Sequence, residues 1–189
     1  MKCDIMRKMN EEQVIKLNEI SEQLVNEGIK RNCGVYEYLY HGTSKSNAQK
    51  IQRTREIKIP NEVGYLGKGF YCYHLDMEAS RIWAKKKNKE DKIGILNLIA
   101  NLNDIFFVSK ELYQIFRDKS KELQDCKLII DKRIGNYIEL FLKEYIKPTF
   151  GIDVNTVGRF YNLETNRPVL MFSIRDKIMV KKIELCWEE

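Results

Sequence analysis

A chain of 189 residues, 43% hydrophobic and 11% aromatic, is long enough for one domain with a real core and too apolar to be disordered throughout. Its net charge of +6, from 33 Lys+Arg against 27 Asp+Glu, forms no compact basic arm and favours an acidic or nucleic-acid partner only modestly. Cys3, Cys33, Cys72, Cys126 and Cys186 are odd in number and scattered without a C-x-x-C pair, which argues against a disulfide framework and a thiolate zinc site.

The opening MKCDIMRKMNEEQ lacks the apolar centre of a signal peptide, and no apolar run is long enough to cross a bilayer. The expectation is a soluble, cytoplasmic protein with free thiols, no metal and no membrane partner. EEQVIKLNEISEQLVNEGIKR (11–31) sets Val14, Leu17, Ile20, Leu24 and Ile29 near helical spacing. It predicts an amphipathic helix ending near Gly28 or Gly34, an appendage over 1–34 ahead of a single domain at 35–189. VYEYLYHG (35–42) has the aromatic and β-branched character of a strand. Thr43 or Ser44 then caps a helix through SKSNAQKIQRTRE, with Ala48 and Ile51 facing inward.

GYLGKGFYCYH (64–74) is punctuated by Gly64, Gly67 and Gly69 and predicts a strand from Gly69 to His74; Asp76 caps a helix through MEASRIWAKKKNK. KIGILNLIANL (92–102) is nearly all apolar, as suits a strand inside a sheet. Two helical stretches, roughly 109–125 and 134–147, make a helical insertion of about 109–147. KLII between them reads as strand or helix, and Pro148 and Gly151 end the helical region. VNTVGRFYN, PVLMFSIRD and KIMVKKIELCW read as short strands. This order predicts an α+β fold with a mainly antiparallel or mixed sheet.

The three glycines do not make a phosphate loop. In the dinucleotide fingerprint the glycines follow a strand and open a helix, whereas here they precede FYCYH. Lys68 is followed by Gly69, not by the Ser or Thr of a P-loop. His41 reads by itself as a strand-end histidine, Tyr71 and Trp83 as core aromatics, and the glycines as a turn.

Taken in order, HGTS (41–44), GYLGKGFY (64–71) and the helical ASRIWA (79–84) resemble the ADP-ribosyltransferase superfamily, in the branch of the poly(ADP-ribose) polymerase catalytic domain and small bacterial relatives and toxins. The resemblance covers 39–100 and, weakly, 154–187. It implies a split mixed or antiparallel sheet with flanking and inserted helices. It also implies cleavage of the nicotinamide–ribose bond of NAD, as substrate, through an oxocarbenium-like transition state. Gly42 would pair its backbone with the carboxamide, where a side chain would obstruct so close an approach. His41 would hold a ribose hydroxyl of the adenosine half as a fixed hydrogen-bonding group, with Thr43 adding a hydroxyl contact. Tyr71 would stack on the nicotinamide ring, a contact of about 1 kcal/mol beyond burial, and Trp83 would form a second aromatic wall.

The family often carries a third residue, a glutamate near the start of a late strand. RPVLMFSIRD (167–176) contains none; Pro168 or Met171 falls at that position, depending on register. Glu164, in the preceding YNLETN turn, is the nearest carboxylate and also reads as a solvated turn residue. Without the glutamate, polymer synthesis is not expected, while single ADP-ribose transfer can survive on positioning and ring stacking. The expectation is a mono-ADP-ribosyltransferase modifying a protein or nucleic acid, in the manner of a toxin or phage-defence effector, with an antitoxin or chaperone partner. The alternatives are a catalytically silent NAD- or ADP-ribose-binding module and an RNA 2′-phosphotransferase-like enzyme. By strand alternation His74 and Cys72 face away from Tyr71, and both read as structural.

Overall fold

The β-branched and aromatic runs assemble into one eight-stranded sheet in a computed structural model that describes residues 23–30, 35–89, 92–121, 130–162 and 167–188. Its strands are β1 (Ile29–Lys30), β2 (Val35–Ser44), β3 (Phe70–His74), β4 (Ile93–Leu102), β5 (Ile105–Phe107), β6 (Thr156–Asn162), β7 (Pro168–Ile174) and β8 (Val180–Glu188). Their order is β1-β5-β6-β7-β3-β2-β4-β8. Only β5 and β6 run parallel; every other neighbouring pair is antiparallel. The fold is therefore α+β with a mixed sheet, as composition and element order predict.

The helices are α1 (described over 23–28), α2 (Lys45–Thr54), α3 (Met77–Lys87), α4 (Lys110–Lys121), α5 (Ile130–Phe141) and α6 (Lys147–Phe150). Of the two possible caps for α2, the structure uses Ser44, whose hydroxyl accepts from the Asn47 N–H. Asp76 caps α3 by accepting from the Ala79 N–H at 2.8 Å.

Side-chain alternation divides the core between the two faces of the sheet. On one face α2 lays Ala48 and Ile51 over Leu39, Phe70, Cys72, Leu96, Phe172 and Ile174. On the other, α4 and α5 bring Leu112, Phe116, Ile134 and Ile138 onto Tyr73, Phe106, Val157 and Met171. Val25 of α1 is buried in this second core, and β1 adds two residues to the sheet beside β5. Met171 is thus core. Pro168, at the exposed start of β7, lies opposite Asn162.

Three boundaries differ from the expected ones. Pro148 does not end the helical region: α5 passes into a π-helical turn, Leu142–Ile146, and Pro148 sits at the start of α6. The wider turn accommodates a residue that has no N–H to donate and whose ring crowds the preceding turn. The helix ends at Gly151, as expected, in the left-handed region at φ 65. β5 is too short to give a period in the sequence, and Lys177–Met179 is a 3-10 turn rather than strand. Of the KLII segment, 127–129 lies outside the described residues.

Candidate functional site

The β2–β3 ladder is short. It pairs Leu39 with His74 and Tyr40 with Tyr73, and then the two strands part, although β2 remains paired to β4 as far as Ser44. At the point of parting the His41 imidazole replaces the missing ladder bond. Its Nδ1 lies 2.7 Å from the Tyr71 carbonyl oxygen. A carbonyl only accepts, so Nδ1 carries the proton and Nε2 is left with its lone pair. The ring stacks on Phe70 at 4.0 Å between centroids. Burial, with a smaller contribution from the Lys87 charge, pushes the His41 pKa down to about 4 against the opposing bond to Tyr71. His41 is therefore a neutral group near pH 7, oriented by its backbone partner.

The Tyr71 side chain points to the other face, toward α5. Its hydroxyl donates to the Gly67 carbonyl and accepts from the Leu66 N–H, both at 2.7 Å, so the ring is pinned by the glycine turn. Gly64 lies flat against that ring, where a Cβ would come within 2.6 Å of the hydroxyl. Gly67 adopts φ +84, which favours glycine. Burial keeps the phenol protonated well beyond its ordinary range.

Two elements far away in sequence hold the turn in place. Glu139 of α5 accepts from the Lys68 N–H at 2.6 Å and receives both arms of Arg175, at 2.5 and 2.7 Å. Ser173 lies opposite Tyr71 in the β3–β7 ladder and donates its hydroxyl to the Lys68 carbonyl at 3.1 Å. No sequence motif flags these three residues. A carboxylate within the apolar face of a helix is the one local sign for Glu139.

The structure brings His41 to the backbone of Tyr71 but sets their rings on opposite faces of the sheet. Gly42 is buried against α3: a Cβ there would meet the Ser80 carbonyl oxygen at 2.1 Å. Helix packing thus accounts for the glycine. Thr43 accepts from the Asn47 side-chain amide at 3.0 Å. Trp83 is 42% exposed on α3. Glu164 lies outside the described residues. His74 pairs with Glu37 at 2.7 Å, and Cys72 is fully buried on the α2 face. Among the described residues there is no group of three or more His, Cys, Asp and Glu able to hold a metal, and no helix long and apolar enough to cross a membrane.

Fold and site define an α+β protein whose mixed sheet opens beside a half-buried neutral histidine and a pinned glycine turn. No family model matches the sequence. The chain is similar to the uncharacterized protein MJ0359 of Methanocaldococcus jannaschii, at 27% identity over 183 residues. That match covers 77% of this chain and 85% of the archaeal protein.

Proposed function

We propose that the protein is a mono-ADP-ribosyltransferase that takes NAD at the opening between β2 and β3, within an ADP-ribosyltransferase-like split sheet. The observation that carries this reading is the end of the β2–β3 ladder at Tyr40–Tyr73, with His41 locked to the Tyr71 carbonyl beside it. Parted strands leave peptide edges free for a ligand amide, and backbone groups seek a partner wherever a ladder stops. Nε2 of His41 is an oriented acceptor for a ribose hydroxyl. A histidine titrating near 4 gives and takes no proton near neutrality, so the residue positions the sugar rather than shuttling a proton. Departure of nicotinamide needs a well-held ribose and exclusion of water more than a strong acid, which suits such a group. ADP-ribose would pass to a protein or nucleic acid, with a toxin or defence role and an antitoxin or chaperone partner on the N-terminal helix.

One observation favours the silent NAD- or ADP-ribose-binding module as the second reading. The carboxylate near Tyr71, Glu139, is committed to Arg175 and the Lys68 N–H, and polarises no acceptor as it stands. Incubation with labelled NAD and a cell lysate or RNA separates the two. Transfer predicts nicotinamide release with label on a macromolecule, lost in His41→Ala. Saturable NAD binding with no release would leave only the module, and no NAD binding would end both readings.

A further inference from the structure

Arg159, on β6, is a half-buried cation on the helical face of the sheet. Its guanidinium carbon lies 3.1 Å from the Tyr113 ring centroid and 5.2 Å from that of Tyr65. Tyr65 packs in turn on Tyr113 at 5.3 Å and edge-on to Tyr161 at 5.8 Å. Nε and Nη1 are shut off from solvent, and neither has an acceptor. Ring faces stabilise the cation but do not accept its in-plane N–H bonds. Such donors, left empty, bear a desolvation cost that native proteins rarely carry. Burial lowers the Arg159 pKa to about 10, so the charge persists at neutral pH, and among the described residues no carboxylate is paired with it. An oxyanion would supply both the missing acceptors and the missing charge, and a planar guanidinium matches phosphate geometry. Lys110 and Arg117 stand three residues before and four after Tyr113 on α4, on the same side of that helix. Tyr65 covers the guanidinium from the glycine turn, so the lid is anchored by the Tyr71 hydroxyl.

We propose that Arg159, with Tyr65 and Tyr113, forms a binding site for a phosphoryl group, either free or carried on a nucleoside monophosphate. The site does not rest on the NAD reading.

Inorganic phosphate, uridine 5′-monophosphate and uridine are titrated into the full chain while the Arg159 Nε–H resonance is followed by NMR. The expected result is a saturable shift with both phosphorylated probes and none with uridine. Equal affinities identify a free oxyanion as the ligand; tighter binding of the nucleotide identifies a phosphomonoester. Arg159→Met should weaken both at least tenfold with unchanged far-UV circular dichroism. If that variant fails to fold, the wild-type titration decides alone. An unmoved Arg159 resonance, or wild-type affinity in a folded Arg159→Met, overturns the site.

Discussion

Gly42→Ala separates two reasons for a glycine after His41. The new Cβ would stand 2.1 Å from the Ser80 carbonyl oxygen, 2.8 Å from its carbon and 2.9 Å from the Ala84 Cβ. Comfortable contact needs about 3.5 Å, so α3 must retreat from β2 by roughly 1.4 Å. Retreat would also stretch the 2.8 Å bond from the Ser80 hydroxyl to the Tyr40 carbonyl. Overpacking costs about 1–3 kcal/mol where side chains yield; here the obstacle is helix backbone, which puts the loss near the top, about 3 kcal/mol. With a urea slope of about 2 kcal/mol/M, the unfolding midpoint should fall by about 1.5 M at unchanged slope. A midpoint within about 0.5 M of wild type, together with lost NAD binding, would refute the packing argument and return the glycine to the ligand.

Three other outcomes follow from the same geometry. Between pH 6.5 and about 4 the unfolded chain holds a proton on His41 that the native state refuses, so this residue's contribution is present above 6.5 and is lost as pH falls through that window. The loss should approach about 3 kcal/mol, read as the difference in pH-dependent urea midpoints between wild type and His41→Asn. Tyr71→Phe strips the glycine turn of both hydroxyl bonds; it should cost about 1–3 kcal/mol and speed amide exchange at Leu66, and unchanged exchange would show that the turn holds itself. Glu139→Gln weakens the half-buried pair with Arg175 at about 1–2 kcal/mol, and a double-mutant cycle with Arg175→Met that returns no coupling would remove the clamp from the account.

Local pattern sufficed where the cause is local. Ala48 and Ile51 recur on one side of α2, Asp76 sits where a cap must sit, and the apolar run of β4 could only be an interior strand. The order HGTS then GKGFY marks His41, Gly42 and Tyr71 in the sequence as residues to test. What each of them touches was not. Gly42 is small because Ser80 of a later helix crosses it, and Tyr71 is pinned by a turn that Glu139 and Arg175 hold from far along the chain. No local pattern sets Arg159 apart; only the crossing of α4 and the glycine turn over β6 sets it between Tyr65 and Tyr113. The sequence by itself determined the fold class, most of the elements and the residues to watch, since periodicity, caps and turns act over a few residues. The tertiary structure alone decided which face each ring occupies, which tautomer His41 holds and which donors stay empty. Those depend on strand register and helix crossing, which join residues that no local pattern connects.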